Sequence, residues 1–487
     1  MLFNSYIFIF LFLPLVLIGY FGLQHFQLNK AAQGYLIVMS LWFYGYQSSE
    51  YLVLLILSVL VNFILVQGMW KASLTKYRKS LFGIGLAWNI GMLFLFKYYD
   101  FFIENINTAL GCDIAFLQLA MPLGISFYTF QQLAYLIDSY RKECENYSFL
   151  EYTVYALFFP KMVQGPITYH SEVIPRLREE SRRHPNYENL SRGLYAFALG
   201  LAKKVLIADT LAKIVAQGYL DPDRLNTTSA LLVMLCYSLQ IYFDFSGYCD
   251  MAMGVGYMFN LELPINFDSP YKADSIDSFW DRWHMTLTRF FTKYVYFPLG
   301  GSRKGAGRTY LNITLVFLIS GLWHGANWTF VIWGALHGIA KMLNRLFKKQ
   351  FQRIPKVVRI AVTFLFTTFA WSIFRAVSVA QVKELWRQVF YGGFGSVQPF
   401  LTDTFNNLLE MKILARAGLS SILVTYPSCA LMIFVLCVLI SCFLMRNTQE
   451  KVQTMKLTNG KMIIILMLMM WSIVSLSDVT EFIYVNF

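Results

Sequence analysis

The sequence predicts an all-α polytopic membrane protein, and three observations carry that prediction. Hydrophobic residues make up 57% of the 487 positions and charged residues only 14%, against roughly 25% charged in a soluble chain. Apolar windows such as Tyr51–Met69 and Tyr426–Met445 are long enough to cross about 30 Å of hydrocarbon with roughly 20 residues. The surplus of Lys and Arg, a net charge of +13, falls in short loops between such windows, which is the distribution that orients spans.

Taken in order, the windows place spans at 5–24, 31–47, 51–70, 80–98, 114–137, 191–216, 228–258, 309–324, 326–341, 357–375, 426–446 and 461–478, about 12 crossings. The first is read as a span and not a secretory signal. Nothing basic precedes it, no small-residue cleavage site follows it, and the first charged residue is Lys30. Basic loops at Lys71–Lys79, Arg141–Lys142, Arg176–Arg192, Arg303–Arg308, Lys341–Arg359 and Arg446–Lys461 mark the cytoplasmic side. Less basic loops at Gln47–Glu50, Tyr98–Asp113 and Gln217–Asn226 mark the outside. Both termini then lie outside, and residues 376–425 form the longest external connection. The expected organisation is one membrane domain over 1–487.

Two stretches resist reading as ordinary spans. Glu151–Pro166 has basic flanks on both sides, is too short to cross, and contains FPKMVQGP. Broken backbone at membrane depth survives only inside protein or beside a cavity, so this stretch is expected to be re-entrant or interfacial. Thr309–Ala340 contains no Asp, Glu, Lys or Arg, yet falls short of the roughly 40 residues that two full spans need. Two short tilted arms, broken near Gly325, are expected, with His324 at the turn and inside the protein.

Composition also narrows the chemistry. The positive charge comes with no nucleic-acid motif and is explained by topology. The seven cysteines have no metal or redox spacing. Cys236, Cys249, Cys429, Cys437 and Cys442 lie in or beside apolar runs, where a free cysteine behaves as a small hydrophobe. No metal site is expected, and no GxSxG elbow or HExxH motif is present.

The candidate chemistry therefore falls to histidine. His324, in GLWHGANWTF (321–330), is an ionisable ring in an otherwise uncharged segment. Such a ring is expensive at bilayer depth and by default marks a functional site. His284 lies in FWDRWHMTLTRFF, where Trp280, Trp283 and His284 share one face if 278–293 is a helix. With Arg282, Arg289 and Lys293 elsewhere on it, that helix reads as an amphipathic element at the cytoplasmic interface. In YSLQIYFDFSGYCDMAM (237–253), Asp244 and Asp250 sit in or beside an apolar helix with Gln240, Ser246 and Tyr248. Structural or supporting roles suit these residues best. The loop GSRKGAGR (301–308) could meet phosphate groups, but it is no P-loop and the topology rule alone explains its charge. An imidazole titrates near neutrality and serves as general base for acyl transfer, taking a proton from a hydroxyl that attacks a thioester. In that scheme His324 activates the acceptor oxygen or a relay residue near the membrane centre, while His284 hydrogen-bonds the donor carbonyl or its leaving sulfur. Trp280, Asp281, Arg282, Trp283, Gln240, Asp244, Ser246, Trp323 and Asn327 are the expected supporting residues.

Several stretches together resemble the membrane-bound O-acyltransferase family, and within it the bacterial alginate O-acetyltransferase branch. They are PLGISFYTFQQLAYLID (122–138), FFPKMVQGPI (158–167), YFDFSGYCDMAMG (242–254), FWDRWHMTLTRFFTKYVYFPLGGSRKG (279–305) and GLWHGANWTFVIWGALHG (321–338). The densest resemblance covers 120–345. The ending EFIYVNF is also similar, though Val485 stands where an aromatic is expected. The resemblance implies a ring of tilted helices around a thinned centre with a funnel or tunnel. It makes His324 the near-invariant catalytic histidine and puts His284 where the family carries a second His or Asn. It implies acyl transfer, acetyl above all, from a cytoplasmic thioester such as acetyl-CoA toward an acceptor outside, with no bound cofactor. The expected setting is a bacterial inner membrane. The expected partners are membrane lipids, a polysaccharide acceptor and an extracytoplasmic esterase-like transferase. The aromatic residues Trp386, Phe390, Tyr391 and Phe394 offer that transferase a surface. The D-alanyl transferases of teichoic acid synthesis are a sister branch and an alternative. Outside the enzyme class, a polysaccharide or lipid transporter also has a polar midplane and broken helices, and a scaffold subunit of an export machine is a third reading.

Overall fold

A computed structural model of the chain describes residues 1–419, 426, 428–455, 458–478 and 482–483. Every regular element among the described residues is helical. In chain order the helices are α1 (Leu13–His25), α2 (Asn29–Gly45), α3 (Leu52–Trp70), α4 (Arg78–Leu93), α5 (Tyr99–Leu110), α6 (Ile125–Arg141), α7 (Phe149–Leu157), α8 (Phe159–Met162), α9 (His170–Arg178), α10 (Tyr187–Ala202), α11 (Asp209–Leu220), α12 (Thr227–Met258), α13 (Ile276–Trp280), α14 (Met285–Phe291), α15 (Ala306–His324), α16 (Trp328–Leu346), α17 (Lys348–Gln352), α18 (Lys356–Arg375), α19 (Val379–Tyr391), α20 (Pro399–Asn406) and α21 (Leu409–Leu414). Apolar helices Cys429–Leu444 and Asn459–Val474 follow. Among the described residues, Phe8–His25, Leu52–Trp70, Arg78–Leu110, Thr227–Met258 and Lys356–Arg375 are long and apolar enough to cross a membrane.

The chain forms two compact units, one of Met1–Ala198 with Tyr248–Ile265, the other of Leu199–Gly247 with Asn266–Ile483. In the first, Phe8, Phe12, Phe43 and Phe159 make an interlocked aromatic core with ring centres 5.2–6.2 Å apart. The stretch 151–166 is a broken helix inside it. A capping box starts α7: Ser148 Oγ accepts from the Glu151 amide and Glu151 accepts from the Ser148 amide. Pro160 lacks an amide hydrogen and crowds the preceding turn, so α7 ends at Leu157 and α8 starts afresh. Residues 152–168 are buried, as the membrane argument for broken backbone requires. Buried Lys161 donates to Gln131 Oε1 and to the Tyr155 carbonyl.

Two of the expected boundaries are wrong. Most of the loop expected at 98–113 is helix, because helix continues from Arg78 to Leu110; only 111–113 are irregular. The span expected at 114–137 begins only at Ile125, after an irregular run through Pro122 and a left-handed Gly124 (φ 67°). The Asp100 carboxylate accepts the Leu117 and Gln118 amides at 2.8 and 2.9 Å and holds that apolar run outside any helix.

In the second unit, α15 and α16 pack backbone against backbone. A methyl group added at Gly321 would sit 2.3 Å from the Phe330 carbonyl, and one at Gly334 2.4 Å from the Phe317 carbonyl. Only glycine permits this approach, the small-residue contact of membrane helix pairs. The break falls at residues 325–327, where it was expected. Of the cysteines, Cys236, Cys249 and Cys442 are buried; Cys429 and Cys437 lie exposed, contrary to a packing role.

Candidate active site

His324 closes α15. Gly325 turns extended after it, and Asn327 starts α16 by accepting the Thr329 amide at 3.0 Å. The ring is 2% exposed, enclosed by Trp323, Trp333 and Phe374 with ring centres 4.7, 5.2 and 5.1 Å away.

His284 arrives by a different route from the one its sequence suggests. Residues 278–293 are not one helix. Helix α13 ends at Trp280, α14 starts at Met285, and His284 lies between them in the left-handed region (φ 45°, ψ 50°). That backbone costs a non-glycine residue about 1–2 kcal/mol. Strain of this kind persists only where surrounding structure imposes it. Here the surroundings are Asn266. Its main-chain carbonyl accepts the Met285 amide at 3.0 Å, and its side-chain oxygen accepts Thr286 N at 3.2 Å and Thr286 Oγ1 at 2.9 Å. The same oxygen lies 3.1 Å from His284 Nδ1.

These contacts fix the histidine tautomer. The Thr286 amide can only donate, so the Asn266 atom facing it is the oxygen and not the nitrogen. His284 Nδ1 must therefore carry hydrogen and donate. Every proton this ring exchanges passes through Nε2. The ring is fully buried, with Phe245 edge-on at 4.8 Å and Trp323 at 6.1 Å. The centres of the His284 and His324 rings are 6.5 Å apart, although the residues are 40 positions apart in the chain. Two titratable rings thus share one aromatic-walled interior.

The sequence profile of the membrane-bound O-acyltransferase family matches residues 38–380. The chain belongs to this family. It is 38% identical over 472 residues to a peptidoglycan O-acetyltransferase of Helicobacter pylori, a match covering 89% of this chain and 88% of the relative. A probable alginate O-acetylase of Pseudomonas aeruginosa is 33% identical over 405 residues, covering 82% and 76%. A teichoic acid D-alanyltransferase of Bacillus subtilis is 27% identical over 270 residues, covering 52% and 68%. The protein is thus an acyltransferase and a multi-pass membrane protein.

Around the two histidines of this acyltransferase, the other expected residues divide sharply. Trp280 and Trp283 are buried and wall the interior instead of anchoring a surface helix. Trp280 donates from Nε1 to His337 Nδ1 at 3.3 Å, while Trp283 lies 4.8 Å from Trp371. Trp323 contacts both histidine rings. Asp281 is exposed. Arg282 pairs with Asp268 at 3.5 Å and so supports the loop that carries Asn266. Asn327 is occupied as a helix cap and by the Val377 carbonyl at 2.9 Å. Asp244 belongs to a buried ion cluster: Lys204 lies 2.7 Å from Asp244 and 2.8 Å from Asp209, and Asp244 also accepts the Ile483 amide at 3.0 Å. Lys203 reaches Ser246 Oγ at 3.5 Å, and the buried Gln240 oxygen has no hydrogen-bond partner among the described residues. Trp386 is turned inward to Ser372 Oγ at 2.9 Å, whereas Phe390, Tyr391 and Phe394 are 65%, 86% and 87% exposed. The ending 481–487 lies outside the described residues except for Phe482 and Ile483.

Sequence reasoning missed Asn266, His337 and Lys204. Asn266 is an ordinary polar residue in LPINFDSPY, and no spacing links it to His284. His337 stands in the quoted GALHG stretch and is fully buried against Trp333, whose ring is 4.8 Å away and also faces His324.

Proposed function

We propose that the chain transfers an acetyl group from a cytoplasmic thioester, through a ring of about 12 tilted spans, for O-acetylation of an extracytoplasmic polysaccharide. The supporting observation is the meeting of His284 and His324 in one buried interior, with His284 held in a single tautomer. In this reading His324 is the general base. It takes the proton of an acceptor hydroxyl as that oxygen attacks the thioester carbonyl; the carbon–sulfur bond then breaks. Burial lowers the His284 pKa to about 3, so the ring is neutral. Asn266 holds it with the Nε2 lone pair toward the donor, and the leaving sulfur receives the proton that His324 took from the hydroxyl. The thioester is a substrate, and no resident cofactor takes part. Peptidoglycan stands first among the acceptors, because the relative bearing that name matches 38% over 89% of this chain while the alginate relative matches 33% over 82%.

The relay continues outside. A polymeric glycan does not fit among the aromatic rings around His324. The external connection contains neither histidine nor a GxSxG serine. An extracytoplasmic esterase-like transferase therefore receives the acyl group, docking near Phe390, Tyr391 and Phe394. The test is reconstitution with acetyl thioester inside vesicles and glycan outside. Glycan acetylation that appears only on adding the external transferase supports the reading. Full glycan acetylation by this chain alone removes the relay, and absence of thioester consumption in both arms removes the acyltransfer itself.

A further inference from the structure

We infer that the second unit holds a site for one anionic phospholipid, with its acyl chains in an apolar cavity and its headgroup on Arg446 and Lys451. The cavity, about 920 Å³, lies among residues 199–210, helix Cys429–Leu444 and helix Asn459–Val474. Leu206, Ile207, Phe243, Phe434 and Val438 give it an almost wholly apolar wall. Ile433, which also lines it, is 56% exposed, so the cavity opens on the outer surface of the helices.

The two ends of this cavity differ in charge. At the C-terminal end of Cys429–Leu444, its rim carries Arg446, Asn447, Thr448 and Lys451, and Lys272 joins them by donating to the Met445 carbonyl at 2.6 Å. The acids beside that rim are engaged. Asp268 pairs with Arg282 at 3.5 Å and accepts from Asn447 at 2.7 Å, and the Glu450 carboxylate accepts from Asn447 Nδ2 at 3.4 Å. The other end carries Glu410, which accepts from Trp471 at 3.3 Å and from Ser475 at 3.1 Å. A helix of this length separates the two ends by about 24 Å. Among the described lining residues the cations are Arg446, Lys451 and Lys203, the last beside Cys442 toward the same end, and an apolar slot charged in this way matches an acyl chain joined to a phosphate. The cationic end lies in the basic loop 446–461, on the face read as cytoplasmic, where anionic lipid attracts such clusters.

The experiment is native mass spectrometry of the full chain, reconstituted in mixed phosphatidylglycerol and phosphatidylethanolamine and then released. The wild type is expected to retain one phosphatidylglycerol. Each cation contributes about fivefold preference for anionic lipid, so the double variant Arg446→Gln/Lys451→Gln should lose roughly 25-fold of that preference while melting unchanged. The double variant Arg353→Gln/Lys356→Gln, in another basic loop, should keep it. Val438→Trp, which fills the cavity, should lose bound lipid of either headgroup. Equal retention of both lipids by the wild type overturns the proposal. So does phosphatidylglycerol retention by the Arg446/Lys451 variant, or a stoichiometric small protein in place of lipid.

Discussion

Asn266 and His284, 18 positions apart in sequence, share a 3.1 Å hydrogen bond whose direction is set by a third residue. Because Thr286 donates to the same Asn266 oxygen, the histidine must donate too. The bond is therefore a tautomer lock, and it holds in the neutral and the charged ring alike. It also refines the expected role of His284. A neutral ring offers only a lone pair at Nε2, and burial favours that neutral form, so His284, as an acceptor, positions the donor and does not donate to the leaving sulfur.

Asn266 should therefore affect rate more than binding. Asn266→Ala leaves the Nδ1 hydrogen and the Thr286 amide without their acceptor, at about 1–3 kcal/mol of stability. The turnover number should fall by more than tenfold with little change in KM. In Asn266→Asp a carboxylate still accepts but favours the imidazolium. The limb of the pH–rate profile that reports His284 should then move to higher pH. A shape-only role for Asn266 predicts no displacement of that limb.

His284→Asn should outperform His284→Ala. Asparagine tolerates the left-handed backbone found at this position and keeps a donor toward Asn266. Alanine does neither. Acyl transfer and thermal melting, measured on both variants, separate chemistry from folding. Equal inactivity with equal melting and unchanged donor binding would rule out the positioning role.

The buried ion cluster should govern stability. Removing one member of a buried pair costs about 3–5 kcal/mol, because its partner keeps an uncompensated charge. Lys204→Met, which leaves Asp209 and Asp244 buried without their cation, should lower the melting temperature in detergent far more than Asp244→Ala, which leaves Lys204 paired with Asp209, or Gln240→Ala. Similar melting for all three variants would contradict the cluster's role.

Cysteine labelling tests the orientation. Phe394, at 87% exposure, replaced by cysteine in a background without other reactive cysteines, should react with an impermeant reagent added outside intact cells. A cysteine at Lys349, in the basic loop 341–359, should react only after permeabilisation. The reverse pattern would invert the topology.

Much of the fold was legible because hydropathy and charge act locally. Apolar runs long enough to cross produced the helices Phe8–His25, Leu52–Trp70, Thr227–Met258 and Lys356–Arg375, and the uncharged stretch too short for two full spans produced the break at Gly325. The errors arose where distant contacts decide. The apolar run 114–121 looks like the start of a span, but Asp100 holds it as loop. The spacing of Trp280, Trp283 and His284 suits a helix, and nothing in it reveals that Asn266 turns His284 left-handed. The candidate site was legible residue by residue. His284 and His324 each stood out as a titratable ring in apolar surroundings. Their closeness to each other was not legible, because the second unit brings them together through packing.

The most direct measurement is transfer by His324→Ala in sealed vesicles loaded with labelled acetyl thioester, with external transferase and glycan present. General base catalysis contributes roughly 10²–10⁴-fold. A variant that inserts and melts like the wild type should lose label transfer by that factor, together with thiol release inside. A stable His324→Ala protein with near-normal transfer would contradict acyl transfer at this histidine pair.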